Sequence, residues 1–180
     1  MKKEIFREIE IPSGIEVKLD NGMLIIKGKE GENKREINTR DLVFEIKDSK
    51  IRIGNKKSTK SDKKRIQTLT AHIRNMIEGV QNKFIYELKT VFSHFPITVE
   101  VKGNDVLVKN FLGEKVARKC DFPKGAEVKV NKERITVSST DKELAGQTAA
   151  NLERVTKIRN RDRRVFQDGI FIINKAGREM

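Results

Sequence analysis

Ile15-Glu16-Val17-Lys18-Leu19-Asp20-Asn21-Gly22-Met23-Leu24-Ile25-Ile26-Lys27 decides the fold, because the chain writes this pattern twice. The second version is Ile97-Thr98-Val99-Glu100-Val101-Lys102-Gly103-Asn104-Asp105-Val106-Leu107-Val108-Lys109, displaced by 82 residues at both ends. In each, apolar residues alternate, turn residues intervene, and an apolar stretch returns. Alternation at period two marks a half-buried strand. Asp20-Asn21-Gly22 supplies the positive φ angles of a tight hairpin, and Gly103-Asn104 plays the matching part.

The echo continues outward. Phe44-x-Ile46 and Ile51-x-Ile53 return as Val128-x-Val130 and Ile135-x-Val137 at an offset of 84, and Gln67-Thr68 returns as Gln147-Thr148 at 80. Loop insertions and deletions produce such drift. Asp48-Ser49-Lys50 and Asn131-Lys132-Glu133 read as the turns of a second hairpin in each copy. A helix then follows. Ser61-Asp62 can cap the first, whose stripe is Ile66, Leu69, Ile73, Met76, Ile77 and Val80. Asp141 can cap the second, with the stripe Leu144, Thr148, Leu152, Val155 and Ile158. Residues 84–91 read as a strand opening the second copy. The expectation is an α+β protein of two tandem copies of a small domain, each an antiparallel-rich sheet with one helix packed on one face. The boundary falls near Gln81-Asn82, giving an N-terminal repeat of residues 1–82 and a C-terminal repeat of residues 83–180.

Composition narrows the chemistry. Among 180 residues, 39 Lys and Arg face 26 Asp and Glu, a net charge of +13. The two copies carry +6 and +7, so neither is a charged tail on the other. The longest apolar runs are four residues, Met23 to Ile26 and Ile170 to Ile173, where a membrane-spanning helix needs about twenty. No secretory signal is visible at the N-terminus. A single cysteine, Cys120, excludes an intramolecular disulfide or a Cys-rich zinc site and fits a reducing compartment. The positive excess points to a polyanionic partner, most often nucleic acid.

Two runs concentrate the charge. Lys56, Lys57, Lys60, Lys63, Lys64 and Arg65 face one acid, Asp62. Arg154, Lys157, Arg159, Arg161, Arg163 and Arg164 face one acid, Asp162. The ordinary reading of a basic run is a solvated face, but both runs read as sitting at corresponding ends of repeated helices, which favours phosphate binding. Projected on a continuing helix, Gly146, Ala150, Arg154, Lys157 and Arg161 share the side away from the stripe. Small residues there either admit an RNA backbone or pack beneath a loop. His72 and His94 lack ligand partners at metal spacing, Cys120 reads as a core residue, and Phe84 and Tyr86 read as core rather than base-stacking groups. Asp162 is expected to stay ionised among arginines, and Asp168-Gly169 reads as a turn. No phosphate-binding glycine loop is present. No catalytic residue, metal site or cofactor is therefore expected.

Several phrases resemble the large-subunit ribosomal protein six family, in its archaeal and eukaryotic branch. They are Asn75-Met76-x-x-Gly79-Val80, His94-Phe95-Pro96-Ile97, Asn110-Phe111-Leu112-Gly113-Glu114-Lys115, Gly146-Gln147-x-Ala149-Ala150, and Arg164-x-Phe166-x-Asp168-Gly169-Ile170-Phe171-Ile172 followed by Lys175-Ala176-Gly177. Phe171 stands where tyrosine is usual. The resemblance implies two tandem α+β copies that bind 23S-type rRNA, mostly through the C-terminal copy, near the sarcin–ricin loop and the stalk base where translation factors dock. It implies a cytoplasmic protein of the large subunit, among neighbouring ribosomal proteins. On it, the Arg154-to-Arg164 run, Lys175, Lys109, Phe111 and Lys115 become expected rRNA contacts, beside Lys60, Lys63 and Lys64 from the first run. Phe111, between Lys109 and Lys115, is either a stacking group or a buried anchor. The rival readings are an RNA-processing enzyme or another RNA-binding protein using the same basic face, and a peripheral protein on anionic membrane.

Overall fold

Asn21 and Gly22 both take positive φ, +46° and +80°, and this turn joins two strands whose alternating residues are paired residue for residue. The computed structural model describes residues 3–37, 42–47 and 49–180; Asp48, expected in a turn, lies outside them. The chain folds as two compact units, residues 1–83 and 84–180.

The first unit comprises β1 (Lys3–Glu10), β2 (Glu16–Asp20), β3 (Met23–Gly28), β4 (Gly31–Glu36), β5 (Val43–Lys47), β6 (Lys50–Ser58) and α1 (Lys60–Gln81). The second comprises β7 (Phe84–Val91), β8 (Thr98–Lys102), β9 (Asp105–Lys109), β10 (Arg118–Asp121), β11 (Ala126–Asn131), β12 (Arg134–Ser139), α2 (Lys142–Val155), β13 (Gly169–Lys175) and β14 (Arg178–Glu179). The duplication is plain in the sheet orders. β2-β3-β4 matches β8-β9-β10, and β1-β6-β5 matches β7-β12-β11, to which the second unit adds β13 and β14 beyond β7. Every pairing is antiparallel. Each copy thus holds two antiparallel sheets where one was expected. In the second unit the break falls at Phe122–Gly125, where Pro123 has no N–H to give a ladder and Gly125 turns with φ +102°.

One helix closes the core of each copy. α1 packs on β3 and β4 of one sheet and on β1 and β6 of the other. Leu24, Ile26, Ile51, Ile53, Ile66 and Val80 are fully enclosed there. The expected stripe is buried except Leu69, which is half-buried, and Thr70 joins it by donating its hydroxyl to the Ile66 carbonyl at 2.7 Å. The cap differs from expectation. Thr59 is the N-cap, with Asp62 at N3 accepting from the Thr59 amide at 2.8 Å in a reciprocal capping box. Ser61 lies inside the first turn, because that reciprocity needs the acid three residues beyond the cap. Asp141 caps α2 as expected, accepting from the Glu143 amide at 2.8 Å.

α2 sits closer to its sheets than the stripe suggested. Ala145, Thr148, Ala149 and Leu152 are fully buried, whereas Leu144 and Val155 are half-buried. A Cβ on Gly146 would come to 3.3 Å from the Tyr86 hydroxyl oxygen. The lack of a side chain at Gly146 therefore lets the helix settle onto Tyr86 of β7, while Ala150 stays half-buried. Phe84 and Tyr86 are buried core residues of β7.

Candidate nucleic-acid interface

α2 ends at Val155, so the helical projection carrying Arg161 outward does not hold. Tertiary hydrogen bonds stop the helix. Arg118 of β10 donates to the Val155 carbonyl at 2.7 Å. Thr156, buried, donates its hydroxyl to the Glu153 carbonyl at 3.2 Å and accepts the Ile170 amide at 2.9 Å. Carbonyls left open at a helix end need such partners. Residues 157–168 then leave the helix axis as an irregular loop and return at β13. Asp168 fixes the far end. It is buried and accepts from the Ser93 amide at 3.1 Å and the Ser93 hydroxyl at 2.9 Å. It is a buried clamp leading into β13, where a turn was expected.

Between the two clamps the loop folds around Asp162. Its carbonyl accepts the Val165 and Phe166 amides at 3.1 and 2.9 Å. Its carboxylate accepts the Arg164 amide at 2.9 Å and the Arg164 Nη2 at 2.9 Å. The Arg164 guanidinium holds that carboxyl below the usual carboxylate range. Asp162 is thus an ionised brace, as expected. Arg161 lies 4.8 Å over the Phe166 ring. Arg154, Lys157, Arg159, Arg161, Arg163 and Arg164 are all exposed. Among the described residues, no carboxylate lies within ion-pair distance of any of these except Arg164.

Two open clefts flank this loop. One, of about 710 Å³, is lined by Arg154, Lys157 and Arg163 with Phe166, Gln167 and Phe171. The other, of about 820 Å³, is lined by Arg154, Lys157 and Arg159 with Asn151, Arg118 and Lys119. Arg154 and Lys157 stand on the wall between them. Arg118 and Lys119 are missed by sequence reasoning because they are a short basic pair far from the run in sequence; only the fold sets them against it.

The other expected contacts divide. Phe111 is buried, with the Arg118 guanidinium 4.3 Å over its ring; it anchors its turn and has no face left for a base. Arg118 also forks onto Glu114 at 2.6 and 2.7 Å. These bonds tie the 110–115 turn to the end of α2. The Arg118 guanidinium, with Arg161 contributing charge, holds the Glu114 carboxyl below its usual range. Lys115 is exposed on that turn. Lys109 is engaged by Glu100 at 2.6 Å. Lys175 is exposed at the opposite end of β13 from the loop, about 20 Å away at the rise of a strand, so it does not join the cluster. Lys60, Lys63 and Lys64 are exposed in the first turns of α1. That is a helix N-terminus, where cations are disfavoured by the macrodipole. The second run instead begins at a helix C-terminus, so the two runs do not occupy corresponding ends.

Arg35 reaches His72 at 3.2 Å, and His94 stacks on Phe95 with ring centroids 4.6 Å apart. Cys120 is buried, and burial, then Asp121 and Asp105, push its thiol up. Among the described residues, no group of three His, Cys, Asp or Glu side chains could hold a metal, and no helix is long and apolar enough to cross a membrane.

A family model described as ribosomal protein L6 matches residues 11–83 and 95–169, once in each unit. The chain belongs to the ribosomal protein L6 family. Its L6-family relatives are similar over nearly their whole length. The large ribosomal subunit protein uL6 of Methanococcus vannielii is 41% identical over 174 residues, covering 97% of this chain and 96% of the relative. That of Methanospirillum hungatei JF-1 is 40% identical over 170 residues (94% and 97%). That of Methanothrix thermoacetophila is 39% identical over 175 residues (97% and 99%). The second L6 match runs through the whole 157–168 loop and stops at Gly169, where β13 begins.

Thr156→Val tests the near clamp. It keeps the shape but leaves the buried Ile170 amide without its acceptor, which costs about 1–3 kcal/mol. The melting temperature should fall, with the loss of amide protection centred on residues 156–170. An unchanged melt would show that the clamp carries no stability.

Proposed function

We propose that this chain is a non-enzymatic constituent of the large ribosomal subunit, in the cytoplasm. It binds 23S-type rRNA mainly with its C-terminal unit, near the sarcin–ricin loop and the stalk base, and so supports the region on which translation factors dock. The names of its relatives and their near-complete overlap support the assignment to the subunit. The observation that carries the binding mode is the 157–168 loop. It presents exposed bases from a frame fixed at both ends by the buried Thr156 and Asp168.

A loop backbone pinned at both ends loses little freedom on contact, and each phosphate neutralised releases counterions. Arginine forks suit phosphate oxygens. A loop of this kind reads backbone shape more than base edges, as expected for folded RNA. The chain therefore holds rRNA segments together; it does not transform them. The two loop carboxylates are already committed, Asp162 to Arg164 and Asp168 to Ser93.

The test is the chain's place in gently lysed cells. It should sediment with large subunits at low salt and leave them only in high salt. A pool sedimenting alone at low salt, or turnover of labelled rRNA with magnesium, would overturn the proposal.

A further inference from the structure

The two clefts beside the basic loop share Arg154 and Lys157 but are lined differently. The larger, of about 820 Å³, has no aromatic ring in its lining. The other, of about 710 Å³, has an apolar wall built from three elements. Val91 ends β7, Ile158 and Phe166 belong to the loop, and Phe171 stands on β13. This cleft belongs to the second unit alone, because among the described residues β13 has no counterpart in the first.

Both rings are held in place. One face of Phe166 lies under the Arg161 guanidinium, 4.8 Å from the ring centroid. Phe171 lies against Gly169, where a Cβ would come to 3.3 Å from two of its ring carbons and 3.4 Å from the Thr156 hydroxyl oxygen. The missing side chain lets the ring and the Thr156 clamp sit together. Even so, Phe171 and Val91 each stay 39% exposed.

We propose that this cleft takes a single unstacked nucleotide of the bound RNA, its nucleobase against Phe166 and Phe171 and its flanking phosphates on Arg154, Lys157 and Arg163. The inference rests on the RNA-binding reading of the loop and adds what part of an RNA enters it. Charge favours phosphate here. Over residues 153–171 six cationic side chains stand against Glu153, Asp162 and Asp168. Asp162 is committed to Arg164 and Asp168 to Ser93, which leaves Glu153 as the exposed acid of the lining. Lys89, exposed and opposite Phe171 on β7, adds a further cation.

The rings narrow the ligand. A continuous helix offers phosphates but keeps its nucleobases stacked inside, whereas bulges and loops splay them onto aromatic side chains. Every nucleobase has a π-face, so stacking needs no particular sequence. The cleft therefore selects an extruded nucleotide and not its identity, in keeping with a surface that reads shape.

The test titrates the purified full chain with an RNA hairpin carrying one bulged nucleotide and with the same hairpin lacking it. The bulged hairpin should bind about tenfold more tightly, whether adenosine or uridine is bulged. Phe171→Leu should erase that preference while leaving the affinity and salt slope of the fully paired hairpin as they were. Phe171→Tyr, which keeps a ring, should retain it. Phe166→Leu, on a different element, should weaken the preference too, so the result does not hang on the folding of one variant. Equal affinity for the two hairpins, or a preference that survives both leucine variants, would overturn the proposal while salt-dependent binding of both leaves the loop an RNA binder. Binding of neither hairpin would sink the RNA reading and this inference with it. An acidic phenylalanine-containing peptide that protects residues 166–171 from amide exchange as well as the bulged hairpin does would make the occupant a protein and overturn the proposal equally.

Discussion

Changing Arg161 and Arg163 together to alanine should weaken binding to a large-subunit rRNA fragment by roughly 25- to 60-fold at about 0.1 M salt. Both side chains are exposed, and neither is held by a carboxylate. Each phosphate contact contributes about 0.7 to 0.9 to the slope of log affinity against log salt. Two lost contacts should flatten that slope by about 1.4 to 1.8, and the variant and parent should converge near 1 M salt. Stability should stay within about 0.5 kcal/mol, because these are surface changes. Lys109→Ala is the internal control. Its ammonium is engaged by Glu100 at 2.6 Å, so the slope should barely move. Isothermal or filter-binding titrations at four or five salt concentrations read all of this. A double variant with the parent's slope would remove the loop from the interface.

The second large effect concerns the fold. Gly54 lies in β6 opposite Phe6 of β1. A Cβ added there would run into the Ile5 carbonyl oxygen and the Phe6 ring. A side chain tip can swing away, but a backbone carbonyl in a paired strand cannot. Gly54→Val should therefore destabilise the first unit by more than about 3 kcal/mol, at or beyond the upper end of overpacking costs. The two units have separate cores with no buried residue in common. Exchange protection should vanish over residues 3–83 at temperatures where residues 84–180 still hold theirs. Limited proteolysis should cut first in the same region. If the valine variant melts within about 1 kcal/mol of the parent, β1 does not approach β6 as closely as described.

Much of the architecture is readable from pattern, because hairpins and amphipathic helices are local. The repeated alternation around Asn21-Gly22 and Gly103 places four strands, and the stripe from Ile66 to Val80 places α1. What escapes is set by distant partners. No glycine or proline interrupts residues 147–168, and arginine and lysine are good helix formers, so the sequence carries no strong stop signal at Val155. The stop comes from Arg118, 37 residues away, and from an amide 14 residues ahead. Phe111 looks available between Lys109 and Lys115 until Arg118 covers it. β1 hides for another reason. Ile5 and Ile9 are four apart, a helical spacing, and only pairing with β6 shows a strand. β4, Gly31–Glu36, has no apolar residue to announce it. The Thr59 cap is within reach of the sequence, since the acid three residues on is the deciding sign.

The frame around the basic loop has a consequence for synthesis. Its near fastening needs the amide of Ile170, and the sheet that receives its far end gains β13 only after residue 169 has been made. A nascent polypeptide interrupted at that point already carries every arginine of the run but lacks the Ile170 amide that fastens the loop at Thr156. The loop is therefore pinned at both ends only once β13 has been made.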